Sequence, residues 1–239
     1  MSQPRPRARV GVLASGSGSN LQALLDHLDA LGTGRAADVA LVAANRPDAG
    51  ALQRAAHRGI PAVTLGDPAD GGAMLATLAA HGVDLVVLAG YLKLVPVEVT
   101  RRFHGRLLNV HPALLPAFGG AGMYGQRVHR AVLASGARIS GATVHFVDDQ
   151  YDRGPIVAQW PVPVFATDFP ETLAARVLRV EHLLLPRAVQ AVAAGHVTLA
   201  PDGSVVGAFS DGPADAAFTL PDDSSRAGDD IARALHALP

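Results

Sequence analysis

The 239-residue chain contains no cysteine, so a disulfide framework, a thiolate metal site and a cysteine nucleophile are all excluded. It also lacks an excess of charge of either sign. Twenty Lys and Arg residues against 21 Asp and Glu leave a formal net charge of -1, too little for a global field that would hold a nucleic acid backbone or an anionic membrane. Long hydrophobic runs are missing as well. Arg5, Arg7 and Arg9 precede only a short apolar stretch at 10–14, which Ser15 and Gly16 end well short of a signal-peptide core or a membrane span. These absences predict a soluble cytoplasmic protein whose partner is a small, locally recognised ligand.

What is present is apolar bulk in an alternating order. Apolar residues make up 49% of the chain, enough for a sizeable core. Short β-rich runs at 9–14, 39–44, 62–65, 84–89 and 107–110 alternate with helical patterns at 50–58 and 74–81. A further helix follows the first strand, with Leu21, Leu24, Leu25, Leu28 and Leu31 on one face. This is the order of βαβ units. The expected fold is α/β: a Rossmann-like open, mostly parallel twisted sheet with helices on both faces. The run at 84–89 is continuously apolar after Asp84, as expected of a central strand covered on both sides. Strand-like runs at 141–147 and 156–164 predict an antiparallel edge element, followed by a helix over 171–194 that contains Pro186. Residues 1–205 read as one catalytic domain, with its N-terminal half binding phosphate. Residues 206–239 read as an acidic tail with a short helix at 231–238.

Two motifs carry chemistry. Ser15-Gly16-Ser17-Gly18-Ser19-Asn20 lies between the first strand and the first helix, where backbone N–H groups and a helix N-terminus attract an anion. It is not a dinucleotide fingerprint, because Leu21 holds the third glycine position, and no Gly-Lys-Ser/Thr follows to make a P-loop. A site for one phosphate, with Gly18, Ser19 and Asn20 as donors, stands against a plain turn in which Ser19 caps the helix.

Asn109-Val110-His111-Pro112 is the second motif. Alternation along a strand points the amide and the imidazole the same way, at a strand end where open α/β sheets bind ligands. An amide can donate to a developing oxyanion while a nearby imidazole moves a proton near neutral pH. Asp152 supplies a third group that would orient His111 or raise its pKa. A metal held by His111, His129, His145 and Asp152 is the competing reading, although their spacing matches no standard ligand pattern; no metal is expected.

Asn109-Val110-His111-Pro112-Ala113-Leu114-Leu115-Pro116, with Val144-His145-Phe146-Val147 leading to Asp152-Arg153-Gly154-Pro155, resembles the signature of the folate-dependent formyltransferases. The resemblance runs from Val10 to about Val192. The loop from Ser15 to Ala23 is similar to the one with which some members hold the ribose phosphate of glycinamide ribonucleotide. The resemblance implies 10-formyltetrahydrofolate as co-substrate, with Tyr91, Leu92, Lys93, Leu94, Val95, Asn109, Val147, Asp148 and Asp149 around the folate. It implies Gly18, Ser19, Asn20 and Glu181 around the nucleotide, and a homodimer. Asn109, protonated His111 and Asp152 would be the catalytic group. Lys93 stands where the family often has arginine, and the glycine-rich segment 117–126 reads as a mobile lid. An amino-sugar formyltransferase and a non-catalytic folate-binding relative remain the alternatives. A transformylase acting on tRNA would be expected to carry an added RNA-binding domain, and a folate hydrolase an added N-terminal domain.

Overall fold

The computed structural model describes residues 6–207. Arg5, nearly all of the proposed acidic tail and the helix expected at 231–238 lie outside the described residues. Nine strands and six α-helices occur among the described residues. In chain order they begin β1 (Ala8–Ala14), α1 (Ser19–Leu31), β2 (Ala37–Ala44), α2 (Gly50–His57), β3 (Ala62–Thr64), α3 (Gly71–Ala80) and β4 (Leu85–Leu88). They continue α4 (Val97–Arg102), β5 (Leu107–His111), α5 (Gln126–Ser135), β6 (Ile139–Phe146), β7 (Ile156–Pro163), α6 (Pro170–Ala193), β8 (Val197–Leu199) and β9 (Val205–Gly207). Three of these elements, α4 and the paired strands β8 and β9, were not expected.

The seven-stranded sheet has the order β3-β2-β1-β4-β5-β6-β7. Pairings among β1 to β5 are parallel, whereas β5–β6 and β6–β7 are antiparallel. β4 is the middle strand, and all four of its residues are buried. The order reverses direction at β1 and β4, which leaves a crevice beyond their carboxyl ends. The backbone ties the two loops together there. Ser15 N–H donates to the Gly90 carbonyl at 3.0 Å, and Leu92 N–H donates to Ser15 Oγ at 3.0 Å.

Alternation divides the core into two layers. Val10, Val12 and Ala14 of β1 face α1 and α6, while Leu13 faces α3 and α4 with Leu41, Met74, Leu78 and Phe103. Leu21, Leu24, Leu25 and Leu28 form the buried face of α1 as their spacing predicts, and Leu31 is only partly buried. The long α6 buries Leu173, Val177, Leu184 and Leu185 completely, each contributing about 1.5–3 kcal/mol of transfer free energy. That anchorage lets α6 run through Pro186, which lacks the N–H that would complete one turn of the helix.

Candidate active site

The carboxyl end of β5 brings Asn109, His111 and Asp152 together as the sequence motif predicts. β5 pairs with β6 in a register that sets Asn109 opposite His145 and His111 opposite Thr143. Asp152 reaches the same point from the loop between β6 and β7, with a left-handed backbone at φ 55°. Its Oδ2 lies 3.5 Å from His111 Nδ1, its Oδ1 lies 3.5 Å from Asn109 Nδ2, and His145 Nε2 is 3.7 Å from Oδ1.

The segment after Pro116 is fastened into this cluster rather than lying over it. His111 Nε2–H donates to the Phe118 carbonyl at 2.9 Å, and Gly120 N–H donates to Asp152 Oδ2 at 2.9 Å. The fit at 119 is close: a Cβ there would fall 2.4 Å from Leu115 Cδ2, which would have to turn aside, and 3.1 Å from Asp152 Cβ. Within the segment expected to act as a lid, Phe118 and Gly120 are thus hydrogen-bonded to the cluster. Residues 120–126 line the cleft beyond them.

Hydrogen-bond chemistry assigns the tautomers. A carbonyl only accepts, so His111 carries its proton on Nε2 and turns bare Nδ1 toward Asp152. His145 Nδ1–H donates to the Phe146 carbonyl at 2.8 Å, which leaves Nε2 to accept from Asn109 Nδ2–H at 3.1 Å. One Asn109 N–H is thus engaged, and the other has only the long contact to Asp152. His145 was noted in the motif but given no role beside Asn109; the antiparallel register is what brings it there.

Burial lowers the His111 pKa below its ordinary value. The Asp152 charge and the Phe118 carbonyl oppose that shift, and a charged His145 would add to it. The carboxylate pulls toward the protonated His111 expected from the sequence, whereas desolvation of a side chain only 3% exposed pulls more strongly the other way. For Asp152 the balance reverses. Burial alone would raise its pKa, yet His145 and His111, when either carries a proton toward the carboxylate, and the Gly120 N–H hold it below the usual carboxylate value.

The three groups open onto a cleft of about 520 Å³, lined also by Tyr91, Leu92, His129, Tyr151, Leu178 and Glu181. A recess of about 60 Å³ adjoins it, lined by Tyr91, Lys93, Leu94, Val95, Val147 and Tyr151 together with Asn109, His145 and Asp152. The expected folate residues divide between these two spaces, except Asp148 and Asp149, which line neither. Asp148 instead accepts from Gln150 N–H within its own turn. Core packing accounts for Val95 at 4% exposed but not for Leu92 and Leu94, which are 49% and 47% exposed. The recess is far below the roughly 300–1,000 Å³ of small-molecule pockets, so a bicyclic ring does not fit it in this conformation.

At the other end of the cleft, Glu181 is buried on α6 and accepts from Asn20 Nδ2–H at 2.7 Å. Burial pushes its pKa up, and the Asn20 bond only partly offsets that. Asn20 Oδ1 is buried without a partner. The Ser19 cap does not form: Gly18, at φ 76°, is the N-cap residue and no side chain caps α1. The first backbone N–H groups of α1 consequently have no side-chain acceptor. Among the described residues, no group of three or more His, Asp or Glu side chains is arranged to hold a metal ion. Nor is any of their helices long and apolar enough to cross a membrane.

An open sheet with a cleft at its reversal point and an amide–imidazole–carboxylate cluster in that cleft is an arrangement suited to an enzyme that moves a proton beside an oxyanion donor. Residues 8–189 match the Formyl transferase family model, and the chain belongs to that family. It is 45% identical over 208 residues to the chloroplastic phosphoribosylglycinamide formyltransferase of Arabidopsis thaliana, covering 84% of this chain and 70% of the relative. The Vigna unguiculata protein of the same name is 44% identical over 203 residues, covering 82% of this chain and 64% of the relative. The crystal structure of glycinamide ribonucleotide transformylase 1 from Symbiobacterium toebii superposes with a TM-score of 0.76 at 40% identity, covering 83% of this chain and 93% of that one.

Proposed function

We propose that the chain transfers the formyl group of 10-formyltetrahydrofolate to the amine of glycinamide ribonucleotide, a step of purine synthesis. The observation that carries this reading is the convergence of Asn109, His111 and Asp152 at one cleft in a formyl transferase chain. The names of the relatives supply the acceptor.

Each residue has a role that its surroundings permit. As the amine attacks the formyl carbon, negative charge gathers on the formyl oxygen, and the second Asn109 N–H donates to it. The amine must lose a proton and N10 of the leaving folate must gain one. Bare Nδ1 of neutral His111 receives the first and returns it as the second, and Asp152 stabilises the imidazolium in between. The C–N10 bond breaks as the new C–N bond stays, so no covalent enzyme intermediate and no metal are required. Leu92, Leu94 and Val95 offer an apolar surface to the folate ring beside Tyr91, Lys93 and Val147. Asp148 and Asp149 act through the conformation of the loop that closes over it. Gly18, Ser19 and Asn20 hold the phosphate by backbone N–H groups, while Glu181 and Asn20 Oδ1 accept from ribose hydroxyls.

The expected limit at 205 falls inside β9, which pairs with β8, so the catalytic domain is proposed to run at least through Gly207; a homodimer and a cytoplasmic location belong to the same proposal. Truncation, sedimentation at two protein concentrations and cell fractionation test them. For the reaction, the absorbance of the folate product is followed with and without the nucleotide. Consumption of the donor only when the nucleotide is present is the expected result. Consumption without it, or with an amino-sugar nucleotide alone, overturns the assignment of acceptor; no consumption with any amine overturns the enzyme.

A further inference from the structure

Beside the glycine-rich turn stands a cation that no carboxylate neutralises. Arg54 of α2 donates from Nε to the Ser17 carbonyl at 2.8 Å and from Nη1 to Gln22 Oε1 at 3.0 Å. Other arginines of this half, Arg35, Arg46 and Arg58, pair with aspartates. Among the described residues Arg54 forms no such pair; both of its acceptors are neutral, and Nη2 is left over. Two fixed acceptors hold the guanidinium plane in one orientation, so little rotamer entropy remains to be lost on binding.

The backbone also keeps Arg54 in place. A Cβ on Gly18 would fall 2.7 Å from Ala51 Cα, and one on Gly50 would fall 2.9 Å from the Ser17 carbonyl oxygen. Ala51 N–H further donates to the Gly16 carbonyl at 3.2 Å. The turn and α2 are thus as close as two backbones allow, and α2 cannot carry its arginine away. His182, whose buried Nε2 lacks a partner, is kept toward its neutral form, first by burial and then by the Arg54 charge. Arg54 is therefore the permanent charge at this place.

The uncapped N-terminus of α1 supplies only about half an elementary charge, whereas a phosphate monoester carries nearly two at neutral pH. We propose that Arg54 is the specificity-determining cation for the acceptor's phosphate, acting with the N–H groups of α1 to select a phosphorylated acceptor over the same molecule without phosphate. This rests on the acceptor being a ribonucleotide, as argued above.

The test compares kcat/KM for glycinamide ribonucleotide and for glycinamide riboside in the wild type, Arg54→Gln and Arg54→Lys, with binding of ribose 5-phosphate measured by calorimetry. The ratio of nucleotide to riboside should fall about ten- to a hundredfold in Arg54→Gln, the range of a hydrogen bond to a charged group, with Arg54→Lys in between. Ribose 5-phosphate binding should weaken by a similar factor. An equal loss for both acceptors would mean that Arg54 only shapes the turn, and would overturn the inference. Equal binding of ribose 5-phosphate by the wild type and Arg54→Gln would overturn it too. A wild type that forms no formylated nucleotide contradicts the proposed function instead, and calorimetry still decides the role of Arg54.

Discussion

The two ends of the cleft each hold a carboxylate, Asp152 partly buried and Glu181 buried, and their pKa values are shifted in opposite directions. Asp152 receives the Gly120 N–H and faces two imidazoles that favour its charged form when protonated, so its pKa lies below the usual carboxylate value. Glu181 has one amide donor from Asn20, and burial prevails. Depth and neighbours act together: Asp152 is only partly buried and has several polar neighbours, whereas Glu181 is buried with a single donor. On the proposed function, the Asp152 end would stabilise a proton arriving on His111, and the Glu181 end would recognise the hydroxyl-bearing part of the nucleotide while its phosphate is met next door. Chemistry and recognition thus occupy separate places, and substitutions should separate them.

The largest effect is expected at the Asp152 end. Removing the Asn109 amide by Asn109→Ala should lower kcat about a hundred- to a thousandfold, the usual worth of an oxyanion donor, with nucleotide binding by calorimetry retained. His111→Ala should do the same; near-normal turnover in either variant would erase the distinction between the two ends. Next comes Asp152→Asn, with a loss of about ten- to a hundredfold, each pKa unit being tenfold in proton affinity. Because Asp152 pulls the His111 pKa upward against burial, its neutral replacement should move that pKa further down. An NMR titration showing an upward shift would contradict the assignment.

At the recognition end, Gly18→Ala forces a left-handed residue at a cost of about 1–2 kcal/mol and drives a methyl group against Ala51. A lower Tm and a raised KM for the nucleotide, with the folate KM less affected, are expected. The smallest effect belongs to Glu181→Gln, about 1 kcal/mol or less in stability. The folded-state pKa of Glu181 is raised above the ordinary 4.5, so its contribution is fully present below that value and lost as pH climbs through the folded pKa. The Tm of Glu181→Gln minus that of the wild type should therefore increase from acid to neutral pH. A difference that stays flat or falls would place a charged Glu181 in the folded protein and blur the contrast with Asp152.

Much of the fold was legible because apolar runs and helical spacing report burial directly. The continuous run ending at Leu88 is the middle strand, and the leucines of α1 are its buried face. α4 escaped because Val97–Arg102 is only six residues long and rich in β-branched side chains, with helix ends set by Pro96 and packing on α3. The β8–β9 pair carried a readable signal, since Pro201-Asp202-Gly203 is turn chemistry between two short apolar runs. Its three-residue strands gave too little alternation to register. Within the site, Asn109, His111 and Asp152 were legible as a motif. The place of His145 depends on strand register, and the protonation of His111 on the balance between burial and charge, neither of which is written locally. Ser19 looked like a cap because serine often is one; the left-handed Gly18 moved the cap back by one residue.

The central claim is that this cleft moves a formyl group to an amine through Asn109 and His111. It is tested most directly by following a 13C-labelled formyl carbon from the folate donor by NMR, in the wild type and in the two alanine variants, with the nucleotide present. Label appearing as the amide of the formylated nucleotide in the wild type, and scarcely at all in either variant, is the predicted result. Label released as formate, or transferred by the variants at nearly the wild-type rate, would contradict the account.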